Sequence, residues 1–225
     1  MISESNALLL PSRALKNELQ ELQERDPRIG ELAREKPFVL TEDALTFAVD
    51  EAGERVYAMV AIPVPERSGR LFIGQLPGRR GPVEREVDAI VRFGISRIVC
   101  LLPEEDVKDP RLYNVPGYVP LGRERFGERF HLVEVIDYEA PGNDEAFEKI
   151  TRTVDEALSR GEAVLAHCGA GCGRAGAFAA CLLVTAGLDP IEAVRLVRKH
   201  RGCGPESADQ VAYVVRFARR RQATP

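Results

Sequence analysis

The stretch from Ala163 to Ala186 constrains this chain more than any other. Ala163-Val164-Leu165-Ala166 is a short apolar run suited to a strand buried on both faces. His167-Cys168-Gly169-Ala170-Gly171-Cys172-Gly173-Arg174 follows, and Gly176 to Ala186 then reads as an apolar, buried helix. A buried strand that passes through a glycine-rich loop into a buried helix belongs to a parallel sheet covered by helices. Gly169, Gly171 and Gly173 permit backbone conformations that turn successive N–H groups inward, and the helix start adds its positive end. The junction is therefore a concavity suited to an anion.

Strand and helix signals alternate on either side of it. Val83 to Phe93 has helical periodicity, Ile95 to Leu102 suits a buried strand, and His131 to Ile136 suits another, with a long irregular stretch between those two strands. Ala146 to Arg160 sets Phe147, Ile150, Val154 and Leu158 on one helical face, and Gly161 ends that helix. Asp189-Pro190 caps and starts the next helix, and Ser207 caps a last one through Arg219. Upstream, Leu45 to Val49 and Val56 to Ile62 alternate around a turn at Glu51 to Glu54, which predicts a β-hairpin; Arg70 to Gly74 is a short strand before Leu76-Pro77-Gly78. Within residues 12–36, Leu15, Leu19 and Leu22, then Ile29 and Leu32 beyond Pro27, make an amphipathic helical arm. The expected architecture is α/β: a mostly parallel central sheet flanked by helices, with an N-terminal helical arm and a β-hairpin. Residues 1–36 are the extension and 37–225 the domain, its core at about 70–220.

The chain's 225 residues suffice for a sizeable core. With 31 basic against 35 acidic residues and a net charge of −4, it has no basic stripe, so nucleic acid is not an expected partner. The apolar run Ala7 to Leu10 is too short for a signal peptide or a membrane span, so no membrane association is expected. Five cysteines, Cys100, Cys168, Cys172, Cys181 and Cys203, are odd in number and irregularly spaced. With no C-x-x-C pair, neither a metal site nor a cofactor is expected, and a reducing, cytoplasmic setting fits best.

A free thiol with a pKa of about 8.5 is mostly protonated at neutral pH, so a reactive cysteine needs surroundings that favour the thiolate. The inward N–H groups around Cys168 would supply them and would hold phosphoryl oxygens equally well. Arg174, six residues on, has the planar fork to grip two such oxygens. His167 stands at the strand end, where it would position Cys168 and help to depress its pKa. A merely structural thiol would leave His167, the glycines and Arg174 unexplained together.

In this His-Cys, five residues, Arg pattern the sequence resembles the protein tyrosine and dual-specificity phosphatase superfamily, most nearly its compact dual-specificity and kinase-associated branch. The resemblance covers about residues 70–220 and includes the Leu76 to Gly78 turn and the Val99 to Leu102 strand. It implies a phosphocysteine intermediate, with Cys168 as nucleophile, Arg174 on the phosphoryl group, and His167, Gly169, Ala170, Gly171, Cys172 and Gly173 around the substrate. It also implies a general acid, for which Asp137 in Val135 to Pro141 holds the position and Glu139 and Asp144 compete. Gln210 either matches the glutamine segment that orients water or lies on the polar face of the last helix. Ala175 departs from the usual Ser or Thr, whose hydroxyl eases departure of the cysteine sulfur, and this implies slow hydrolysis of the intermediate. Cys172 is a second departure. Cys100 sits where some relatives carry a cysteine that pairs reversibly with the nucleophile, and it is also a natural strand-core residue. Cys181 reads as core and Cys203 as loop.

Positions 169–173 contain no lysine, which disfavours highly anionic lipid head groups. Arg123, Arg125 and Arg129 either contact an acidic substrate or form a solvated loop. The implied partner is a phosphorylated protein or peptide, with phosphotyrosine leading and phosphoserine or phosphothreonine in reach. The alternatives are a phosphate-binding pseudophosphatase with little turnover and a phosphatase of a small phosphorylated molecule or phosphoinositide. The arm is either a partner-binding element or a packed cap, and the sequence leaves the oligomeric state open.

Overall fold

The structure, a computed structural model, describes residues 20–32, 35, 38, 40–136 and 144–223. Six strands, β1 (Thr46–Val49), β2 (Arg55–Ile62), β3 (Arg70–Gly74), β4 (Arg97–Cys100), β5 (Phe130–Leu132) and β6 (Ala163–His167), form one sheet in the order β1-β2-β3-β6-β4-β5. The hairpin and the β2/β3 pair are antiparallel, whereas β3/β6, β6/β4 and β4/β5 are parallel. The expected α/β class with a mostly parallel sheet is what the chain adopts. Every residue of β4 and of β6 is buried, as their unbroken apolar runs require of strands covered on both faces.

The helices are α1 (Pro27–Leu32), α2 (Val83–Phe93), α3 (Glu104–Lys108), α4 (Tyr118–Phe126), α5 (Asp144–Ser159), α6 (Gly173–Thr185), α7 (Pro190–Arg201) and α8 (Ala208–Ala223), and residues 20–25 are also helical. α2 packs on β1 and β2 and against α4, while α6 lies on β3 and β6 and packs against α5, α7 and α8. Caps fix two boundaries. Asp189 Oδ1 accepts from Ile191 N (2.9 Å) and Glu192 N (3.3 Å). Ser207 and Gln210 form a reciprocal capping box, with Gln210 N donating to Ser207 Oγ and Ser207 N to Gln210 Oε1, each at 3.2 Å.

Three expectations are corrected. The stretch read as irregular contains α3 and α4; Pro120 hid the second, yet it sits in the first turn, where its missing N–H has no helical partner to lose. β5 ends at Leu132 rather than Ile136, its pairing extended only by Val133 N donating to Cys100 O (2.8 Å). α6 begins at Gly173 rather than Gly176, so its N-terminus lies inside the glycine motif. Of the arm, residues 12–19, 33, 34 and 36 lie outside the described residues. Leu22, Ile29 and Leu32 are buried in the core, and Arg198 Nη1 on α7 donates to Leu32 O at 2.6 Å, so the described part is a packed cap.

Gly122 is the second reason α4 was hidden. A Cβ there would stand 2.2 Å from Phe130 Cε2, whose ring is held edge-on against Tyr118. Helix propensity alone would make Gly122→Ala stabilising by about 1 kcal/mol. The clash should reverse the sign, and urea denaturation is expected to show a net loss of roughly 1–3 kcal/mol.

Candidate active site

β6 delivers Cys168 at its C-terminal end, and the loop runs from there to α6. Its shape is fixed from outside. Arg79 Nη1 donates to Gly169 O (2.8 Å), Arg201 Nη2 to Ala170 O (3.0 Å) and Arg201 Nε to Gly171 O (2.8 Å). In a trans peptide the next N–H points opposite to the carbonyl. Anchoring these three oxygens outward therefore turns the N–H groups of Ala170, Gly171 and Cys172 inward. Gly171 has φ +74°, and a Cβ on it would lie 2.4 Å from Gly74 O, so only glycine serves there.

Cys168 and Arg174 are 3% and 4% exposed, so the thiol and the guanidinium both lie recessed beneath the surface. Arg174 donates from Nη1 to Val135 O (3.2 Å) and from Nη2 to Tyr113 Oη (3.0 Å). Tyr113 Oη stands 2.2 Å from where a Cβ on Gly169 would be, and Arg79 lies over the Tyr113 ring at 5.7 Å. The helix dipole and the inward N–H groups make the recess electropositive without a lysine. A tetrahedral oxyanion seated there would meet three backbone donors and a forked guanidinium.

The structure brings Cys168, Gly169 to Gly173 and Arg174 together. His167 joins them differently from expectation. Its side chain is fully buried and its Nε2 hydrogen-bonds the Tyr118 hydroxyl. Burial pushes its pKa down to about 3, aided by the Arg174 charge and opposed by the Cys168 backbone amide. A neutral imidazole cannot stabilise a thiolate by charge, so that expected role is withdrawn, and its imidazole is turned into the core rather than toward a substrate. Gln210 is 1% exposed; its Oε1 is spent on the capping box and on Glu206 N (2.9 Å), and its Nε2 lies beside Gly173. It lies at the capped start of α8 rather than on an exposed polar face.

Asp137 and Glu139 lie outside the described residues. Asp144 is engaged at the start of α5 by Arg220 (3.0 Å). Arg123 and Arg125 pair with Glu104 and Asp88, each at 3.0 Å, as surface ion pairs do. Ala175 is fully buried as the third residue of α6. The cysteine pairing differs from the Cys100–Cys168 pair that the resemblance implied: Cys172 and Cys203 form a disulfide, while Cys100, Cys168 and Cys181 are buried thiols. Burial pushes the Cys100 thiol up to about 12, with the nearby Cys168 thiolate adding to the shift. Among the described residues no cluster of His, Cys, Asp or Glu could hold a metal ion, and no helix is long and apolar enough to cross a membrane.

Sequence reasoning missed Arg79, Tyr113, Arg201 and Glu206. No spacing rule ties Arg79 or Tyr113 to a loop so distant in the chain. Arg201 and Glu206, flanking Cys203, become legible only once that cysteine is joined to the loop.

A parallel sheet whose central strand ends in a thiol, a pinned loop of inward amides and an arginine on the following helix defines the class of dual-specificity and tyrosine phosphatase domains. The chain belongs to the family described as PTP-SAK, Swiss Army Knife protein, DSP-PTPase phosphatase domain, whose model matches residues 71–223. Among solved structures it is similar to kinase-associated phosphatase with its catalytic cysteine replaced by serine, at 22% identity over 76% of this chain and 99% of that one, TM-score 0.68. It is similar to Tk-PTP in the active form at 26% identity over 69% and 98%, TM-score 0.54. The Trypanosoma cruzi tyrosine phosphatase TcPTP1 matches at 14% over 94% and 95%, TM-score 0.65.

The depressed pKa of His167 has a stability consequence. The unfolded chain binds this proton below about pH 6.5 and the folded chain only near pH 3, so stability falls as pH drops through that window. At pH 5 the loss from His167 should be about 2 kcal/mol relative to pH 7. Urea denaturation at the two pH values should show it, and the His167 ring proton resonances should not titrate between pH 5 and 8.

Proposed function

We propose that the protein hydrolyses phosphate monoesters of proteins or peptides, phosphotyrosine foremost, through a phosphocysteine intermediate. The observation that carries this reading is the pinning of the Gly169, Ala170 and Gly171 carbonyls outward beside a recessed thiol and guanidinium. A substrate phosphoryl group would rest on the inward amides, with Arg174 exchanging Val135 O and Tyr113 Oη for two phosphoryl oxygens. The Cys168 thiolate attacks phosphorus in line with the departing phenol oxygen. Asp137 protonates that oxygen and then takes a proton from the water that cleaves the phosphocysteine. Support for Asp137 is that Val135, two residues before it, is bonded to Arg174. Gln210 Nε2, beside Gly173, is suited to orient the water.

The depth of the recess favours phosphotyrosine. A nucleophile 3% exposed is reached by a phosphate at the end of a phenyl ring more readily than by one on a short seryl side chain. The second reading, a phosphate-binding module with little turnover, is favoured by one observation: Ala175 offers no hydroxyl where the departing sulfur would use one.

The test is phosphate release from p-nitrophenyl phosphate and a phosphotyrosine peptide without added metal. Cys168→Ser should abolish turnover, and Asp137→Ala should lower kcat about 10²-fold. Phosphopeptide binding by the wild type without turnover would establish the binding module instead. Ala175→Ser should raise steady-state kcat about tenfold, the effect of one hydrogen bond on a leaving thiolate. An unchanged burst amplitude and rate would show that breakdown of the intermediate does not limit turnover.

A further inference from the structure

Cys172, the last loop residue before α6, is disulfide-bonded to Cys203, 31 positions on, with Cα atoms 5.4 Å apart. The bond lies within a larger contact. From the same segment, Arg201 holds the carbonyls of Ala170 and Gly171. A Cβ on Gly204 would stand 2.2 Å from Cys172 O, and Glu206 Oε2 and Gln210 Nε2 lie beside Gly173. Residues 201–210 thus form one outer wall of the anion loop. The disulfide is the covalent tie between wall and loop, and the one contact among these that opens and closes by two-electron chemistry.

We infer that Cys203 is a positioning residue for the anion loop and that the Cys172–Cys203 pair is a dithiol/disulfide latch that sets the loop's affinity for a phosphoryl group. The inference rests on the reading of the loop as a phosphoryl seat. Closed, the latch limits a stretch with three glycines to conformations in which its amides converge. Open, the loop depends on the Arg79 and Arg201 hydrogen bonds and on packing against Gly204, each modest in water. Cys168 remains a thiol in both states.

Opening needs a dithiol reductant. One thiolate of the reductant attacks the half-buried Cys203 sulfur, forming a mixed disulfide and releasing Cys172 as a thiolate that is then protonated. The second thiol of the reductant displaces Cys203; the reductant leaves as its own disulfide, and the protein has gained two electrons and two protons. Cys172 is only 9% exposed, which makes Cys203 the sulfur of entry. The latch responds in the opposite sense to a thiol-dependent nucleophile. Mild reductant that keeps Cys168 reduced should support the site, whereas a strong dithiol should weaken it.

The experiment uses the full chain in two redox states and inorganic phosphate as the probe. After denaturation, maleimide labelling should count three thiols before dithiol treatment and five after it. Phosphate should bind roughly tenfold more weakly to the five-thiol form, the scale of a misplaced donor set. The pH profile of Cys168 alkylation should move upward in the same form. Cys203→Ser should match the five-thiol protein with or without reductant, and the untreated wild type carries the test if that variant fails to fold. Equal phosphate affinity in the three-thiol and five-thiol forms would overturn the latch alone, as would five thiols before treatment. Absence of phosphate binding in both forms would overturn the phosphoryl seat and the latch with it.

Discussion

The outward anchoring of three consecutive loop carbonyls is the constraint on which the rest of this structure depends. A glycine-rich loop has many conformations of similar energy, and only a small set aims several N–H groups at one point. Selecting that set needs partners for the oxygens, and here Arg79 and Arg201 supply them from either side of the loop in the chain. The two cations also lend positive charge to the recess. Burial lowers the Arg201 pKa, and the nearby Cys168 thiolate offsets part of that shift, a sign that guanidinium and sulfur lie in each other's field.

The sheet serves the same end. β6 sits between β3 and β4, and its last residues are fixed by parallel pairing on both sides, with Gly74 and Cys100 each opposite His167. A neutral, buried His167 held by Tyr118 adds rigidity at that point and no charge. The positive features around the Cys168 sulfur are instead backbone amides, the start of α6 and the guanidinium groups of Arg174 and Arg201. These are fixed features that require no proton to be in place.

What was legible in the sequence was whatever periodicity or local chemistry encodes. The bounds of α2 from Val83 to Phe93, the strand β3, the hairpin, the Asp189 and Ser207 caps and the loop itself each rest on residues close together in the chain. α4 was hidden because Pro120 and Gly122 are poor helix formers, and only the tertiary position of the Phe130 ring explains the glycine. The walls of the site were illegible for another reason. Arg79 and Tyr113 reach the loop across 90 and 61 positions to Gly169 and Arg174 respectively, and only the folded topology brings them there. The Cys172–Cys203 pairing was obscured by an odd cysteine count, which says nothing about which two of five will meet.

That pairing also bears on how the Cys168 thiol would be protected. A resolving thiol must itself ionise to attack an oxidised sulfur, and burial holds the Cys100 thiol at about 12, far above neutrality. Its thiolate fraction at pH 7 is correspondingly of the order of 10⁻⁵. A Cys100–Cys168 disulfide would therefore form slowly unless β4 and the loop first parted, and β4 is buried along its whole length. Cys203, by contrast, is partly open to solvent, whereas its partner Cys172 is buried. The chemistry of the fold thus directs thiol exchange toward the rim of the loop and away from the strand beneath it.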